Sequence, residues 1–151
     1  TVLFPYPVRE GVPLSRGSMI QIFANLWLAL AAADTACAES GTNYKDGAIV
    51  LQVVRNRAES GWSRYTGSLK DALLKKHQHA HGCRAPITAD HLKLGWQFVS
   101  GTLKTPDWAR RALWYCGNYD KPLTCEKRCK HGCEPLGKEA HTFYGYRFNA
   151  L

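Results

Sequence analysis

The chain has 151 residues, a net charge of +8, 45% hydrophobic residues and six cysteines. This length and composition exclude whole-chain disorder and fit one domain that buries a core without help from a metal or a partner. The basic balance favours anionic partners such as nucleic acid, anionic lipid or cell-wall polymers, but no dense Lys/Arg run selects one of them, and plain solubility explains the same charge.

Residues 1–17 are rich in proline and glycine, lack periodicity and read as an irregular N-terminal arm, with residues 18–151 as the domain proper. Ser18 is placed to cap a helix from Met19 to about Ser40, where Gly41 supplies the stop. This apolar, Ala-rich stretch resembles a membrane span or a signal core. Gln21, Asn25 and Asp34 interrupt it, and it lies too deep in the chain for a signal, so the expectation is a buried helix through the middle of the domain. The chain opens without a signal peptide, as a mature form would.

Thr42 or Asn43 opens a second helix through Ala48–Val54 and Arg55–Glu59, which Gly61 ends. Ser68 and Asp71 form a capping-box pattern for a short third helix that runs into His77. Thr88 or Asp90 starts a fourth, closed by Gly101. Thr105, Pro106 and Asp107 announce a fifth, expected to carry Trp108, Ala112, Leu113 and Trp114 to about Cys116. Gly117–Lys138 is turn-rich and studded with cysteine, and His141–Phe148 reads as a short terminal strand or extended segment. The expected fold is therefore mainly α: a single helical domain with irregular loops and a short C-terminal strand. Cysteines at 37, 83, 116, 125, 129 and 133 form an even set whose default is disulfides in an oxidising compartment, secreted or periplasmic.

Chemistry concentrates at Ala38-Glu39-Ser40-Gly41. Glu39 ends a long apolar helix; burial and the partial negative charge of a helix C-terminus both disfavour a carboxylate there. A glutamic acid that keeps its proton is what a glycosidase needs to protonate a leaving oxygen. A surface Glu in a frayed last turn is the plain alternative.

The stretch Ala38-Glu39-Ser40-Gly41-Thr42-Asn43-Tyr44-Lys45-Asp46-Gly47, followed by Val53-Val54-Arg55-Asn56-Arg57, resembles the bacterial cell wall hydrolase family, which includes spore-cortex-lytic enzymes. Gln78, Ala112-Leu113-Trp114-Tyr115-Cys116-Gly117-Asn118 and Ala140-His141-Thr142-Phe143-Tyr144 resemble later segments of that family in the same order. The Glu39-Ser40 pair and Gly47–Val53 are also similar to lytic transglycosylases and goose-type lysozymes. The resemblance departs at Asn43, where an acid is expected, and the Cys125–Cys133 loop has no counterpart. It implies a lysozyme-like domain that takes a hexosamine polymer in a cleft and cuts peptidoglycan beside N-acetylmuramic acid or a modified, de-N-acetylated sugar. It further implies Glu39 as general acid/base and Ser40, Gln52, Gln78, Asn118, His141 and Tyr144 as cleft residues; apart from the resemblance, no cofactor or metal is expected, and with no nucleic-acid-binding motif the expected partner is glycan strands, bound by a monomer. Contact with anionic wall polymers fits the charge. The runner-up is a non-catalytic cell-wall-binding protein that kept the fold.

A conventional glycosidase pairs its acid with a second carboxylate. Asp46, Asp34 and Glu59 are the candidates. Asp46 is expected to cap the second helix, Asp34 to point away, and Glu59 to be a solvated helix end. Without a second carboxylate, Glu39 serves as acid and then base, and the nucleophile is water or the sugar's own 6-hydroxyl. The histidines of His77-Gln78-His79-Ala80-His81-Gly82-Cys83, and Cys125, Cys129, His131 and Cys133, match no common zinc spacing. Cys37 reads as a staple or core residue, Trp27, Trp96, Trp108 and Trp114 as core, and Trp62 as a candidate sugar platform.

Overall fold

The computed structural model describes residues 16–60, 68–75, 79–117 and 132–147. The described residues are mainly helical, 59% helix and 15% strand. Four α-helices come first: α1 (Arg16–Ser40), α2 (Tyr44–Glu59), α3 (Leu69–Leu74) and α4 (Ala89–Ser100). A single 3-10 turn (Asp107–Arg111) leads to β1 (Trp114–Gly117), β2 (Cys133–Lys138) and β3 (His141–Tyr146).

The helix starts follow local chemistry. Asn43, Ser68 and Thr88 each accept a hydrogen bond from a backbone amide of the first turn they cap. His91 completes a capping box by accepting from the Thr88 amide. Gly101 closes α4 in the left-handed region that a glycine adopts without a Cβ clash. Asn43, not Asp46, is the cap of α2. The Asp46 carboxylate is turned inward from the first turn, because β3 offers it better donors than the helix does.

The centre of the fold is α2 rather than α1. Ile49, Val50, Leu51, Val53 and Val54 are all essentially inaccessible. One side of α2 packs with Ala32, Ala36, Ala72, Leu73, Leu94 and Phe98 from α1, α3 and α4. The other side packs with Ala109, Ala112 and Phe143 from the 3-10 turn and β3. α1 and α4 meet closely: a Cβ on Gly95 would stand 2.0 Å from the Ala29 carbonyl oxygen.

Only the second half of α1 is core. Ala29, Ala32, Ala33, Ala36 and Cys37 are buried, whereas Ile20 and Phe23 are 62% and 66% exposed, and Trp27, expected in the core, is 49% exposed. By length and composition Gly17–Ser40 is able to cross a membrane. The helix starts at Arg16, so residues 16 and 17 belong to it rather than to the arm, whose other residues lie outside the described ones.

The expected fifth helix is one 3-10 turn followed by a strand. Ala112 is already extended, and the aromatic Trp114-Tyr115 pair enters the sheet, where large flat side chains fit a half-buried surface. The sheet has the order β1-β3-β2, both pairings antiparallel, so the C-terminal strand is its middle strand. Alternation along β3 buries His141, Phe143 and Gly145 and leaves Thr142, Tyr144 and Tyr146 on the other face. α3 stops at Leu74, short of His77, which lies outside the described residues.

Candidate active site

Glu39 sits in the last turn of α1, just before the chain reverses. The reversal requires Gly41, at φ +55°, whose amide bonds back to the Cys37 carbonyl. The last turns of α1 fasten a second segment, residues 79–83, along their side. Asp34 accepts from the Gly82 and Cys83 amides at 2.7 and 2.9 Å, Thr35 Oγ1 meets His81 Nδ1 at 2.9 Å, and Cys37 is disulfide-bonded to Cys83. Pinned this way, the segment presents the Ala80 amide to Glu39 Oε1 at 2.5 Å. Cys116 and Cys133 are half-cystines as well.

A second donor reaches the same oxygen from the sheet. Tyr115 on β1 donates its hydroxyl proton to Glu39 Oε1 over 3.0 Å. The Tyr115 oxygen lies 2.7 Å from His79 Nδ1, and the two rings stack at 15°. Burial, followed by the charge and hydrogen bond of Glu39, holds the Tyr115 phenol well above its ordinary value, so it remains a donor across the working pH range.

The other Glu39 oxygen faces histidine. His141 Nε2 lies 3.8 Å from Glu39 Oε2, and His141 Nδ1 lies 2.6 Å from Asp46 Oδ2. Asp46 is fully buried and also accepts from the His141 amide at 2.8 Å and from Ser40 Oγ at 2.6 Å. Burial works to raise the Asp46 pKa, but the His141 and Ser40 hydrogen bonds and the His141 charge outweigh it and hold the carboxyl below its ordinary value. An ionised Asp46 only accepts, so His141 carries a proton on Nδ1 and turns its Nε2 toward Glu39. The result is a line, Asp46–His141–Glu39, closed on the far side by Tyr115 and the Ala80 amide. The Glu39 side chain keeps 15% of its surface accessible, an opening toward solvent.

The chain matches no family model, no curated protein and no solved structure.

The structure brings some sequence-predicted residues together and leaves others apart. His141 stands beside Glu39. Ser40 acts through Asp46. Gln52 gives its amide to Asn56 Oδ1, and Asn56 braces the carbonyls of Ala109 and Ala112, a contact between α2 and the 3-10 turn rather than with Glu39. Tyr144 lies on the sheet face opposite His141, and the tyrosine that reaches Glu39 is Tyr115. Asp34 is committed to the 79–83 segment, and Glu59 pairs with Arg55 at the surface. Gln78, Asn118, Trp62, His77, Cys125, Cys129 and His131 lie outside the described residues.

Sequence reasoning missed Tyr115, His79, the Ala80 amide and the inward role of Asp46. Tyr115 stood inside the aromatic run before Asn118, but nothing in that run distinguishes it from Trp114. Among the described residues, no group of three or more His, Cys, Asp or Glu side chains is placed to hold a metal ion. An open hollow lined by Asn56, Glu59, Ser60, Arg110, Arg111, Leu113 and Tyr146 includes none of the residues around Glu39.

Proposed function

We propose that this chain is a lysozyme-like, peptidoglycan-cleaving glycosidase with Glu39 as its general acid/base. The observation that carries the reading is the treatment of one carboxyl group. Oε1 takes two hydrogen bonds, from Tyr115 and Ala80, while Oε2 faces a histidine that a buried aspartate orients. A surface glutamate in a frayed turn has no use for such a frame. Two donors fix the carboxyl plane, leaving Oε2 as the oxygen that gives and takes a proton. The mainly helical domain, with the acid at a helix end next to a small antiparallel sheet, supports a lysozyme-like arrangement.

In this reading Glu39 protonates the leaving glycosidic oxygen as the bond to the anomeric carbon breaks. The resulting carboxylate then takes a proton from the incoming nucleophile, which restores the acid. His141, held by Asp46, places an imidazole beside both states of Glu39. Neither Asp46 nor Asp34 is placed for the nucleophile's role: Asp46 is sealed behind His141 and Asp34 is bonded to two amides. A single acid/base fits attack by water or by the 6-hydroxyl of the muramic acid itself. The disulfide is compatible with an oxidising compartment, and we place the working protein outside the cytoplasm, on the anionic wall that its +8 charge suits.

The test is digestion of native and de-N-acetylated sacculi by wild type and Glu39→Gln, with product masses. Muropeptide release that Glu39→Gln abolishes supports the reading; equal release by both proteins rejects it. Anhydro ends among the products identify the 6-hydroxyl as nucleophile, and reducing ends alone identify water.

A further inference from the structure

His79 is a buried histidine that the acid/base scheme does not use. It is 7% exposed, and its Nε2 has no hydrogen-bond partner among the described residues. A buried polar atom left unpaired costs roughly 1–3 kcal/mol, so its persistence asks for a reason. The reason lies at the other ring nitrogen, 2.7 Å from the Tyr115 oxygen. A phenol has one proton to give. Tyr115 gives it to Glu39 Oε1, so toward His79 the same oxygen can only accept. His79 must then carry its proton on Nδ1, which strips Nε2 of its hydrogen and leaves it facing the interior.

We propose that His79 is a positioning residue for Glu39: its Nδ1–H fixes the Tyr115 hydroxyl as a donor aimed at Oε1. The assignment rests on Glu39 being the acid/base of the proposed function. Without His79 the phenol is free to rotate its proton away from Glu39, and the carboxyl loses one of its two fixed donors. The ring is kept neutral, as a single Nδ1–H donor requires. Burial, then the positive charges of Arg57 on α2 and of His81, push its pKa down to about 3, against the opposing effect of a hydrogen bond with the Ala72 backbone on α3. The ionisable groups acting on it are thus Arg57, His81 and Tyr115, with Glu39 one bond further on.

Two measurements test the proposal. Ring 15N chemical shifts of His79 read the tautomer directly and need no substrate. The expected result is the Nδ1–H form in wild type; an Nε2–H form at neutral pH overturns the assignment. Kinetics on sacculi then use His79→Phe, which keeps a ring, and His79→Asn, whose amide can still donate near the Nδ1 position. His79→Phe should lower kcat roughly tenfold with KM nearly unchanged and shift the pH profile of kcat. His79→Asn should recover most of that loss, and His79→Phe should add nothing to Tyr115→Phe. A folded His79→Phe with wild-type kcat and pH profile, or losses that multiply in the double variant, overturns the proposal. Full activity in Glu39→Gln would instead reject the function reading, and the 15N result would still decide the tautomer.

Discussion

Replacing Asp46 with asparagine removes one charge and almost no volume, and it strikes the support of the site rather than its opening. Asp46 is fully buried and accepts three hydrogen bonds, from Ser40 Oγ, the His141 amide and His141 Nδ1, at 2.6, 2.8 and 2.6 Å. The amide of asparagine presents one acceptor oxygen and a donor NH2, so at least one of those donors meets another donor. Breaking a buried, hydrogen-bonded pair on one side costs about 3–5 kcal/mol. At about 2–4 °C per kcal/mol for a domain this size, the melting temperature of Asp46→Asn should fall by roughly 6–20 °C. Calorimetry at neutral pH measures it. The pH dependence supplies an internal check. The folded carboxyl titrates below its ordinary 3.8, so its stabilisation is fully present above that value and is lost as pH falls through the lower folded pKa. The gap between wild type and Asp46→Asn should therefore close only under strongly acid conditions. A double-mutant cycle with His141→Gln should show strong coupling. A melting temperature within about 2 °C of wild type, with no coupling to His141, would refute the account of Asp46 as the anchor of His141.

Three further outcomes are expected. His79 refuses a proton in the folded state down to about pH 3, whereas an unfolded chain takes it up near 6.5, so its contribution is intact above 6.5 and is lost as pH falls. At pH 5 that loss is about 2 kcal/mol, and urea melts of His79→Phe should lack this part of the acid slope. Gly95→Ala puts a Cβ 2.0 Å from the Ala29 carbonyl oxygen, a backbone atom that cannot swing aside, and should cost about 1–3 kcal/mol or more by forcing α1 and α4 apart, which a chemical melt reads. Removing the Cys37–Cys83 bond with paired serines opens a loop whose ends are 46 residues apart, worth up to about 4 kcal/mol. Activity on sacculi at a temperature where the variant is still folded should fall as well, because the Ala80 amide and His79 both ride on the released segment.

The helices were legible where the signal is local. The caps at Ser68 and Thr88 and the stops at Gly41 and Gly101 lie within a few residues of what they terminate, and chain order alone exposes them. β1 was not legible: Thr105-Pro106-Asp107 starts a turn correctly, but what ends it after one turn is pairing with β3, which no local pattern announces. The site divides the same way. Glu39 was found because helix, acid and glycine are adjacent in the chain. Its partners come from afar, Tyr115 at a separation of 76 residues and the Asp46–His141 contact at 95. Asp46 misled because an acid three residues past a turn suits a cap, and only the buried donors of β3 turn it inward. Trp27 misled because an apolar stripe signals burial only where a neighbour exists to cover it.

α1 holds its two ends very differently. Toward Ser40 it is clamped by α2, α4, a disulfide and the 79–83 segment; toward Arg16 its apolar side chains stand largely clear of the described fold. Opening of this helix should therefore begin at the loose end and run inward, with amide exchange protection rising along the chain until it is greatest in the last turns. The carboxyl group thus sits at the quiet end of a helix whose motion is spent elsewhere, and its alignment with His141 and Tyr115 is insulated from fraying that would otherwise reach it.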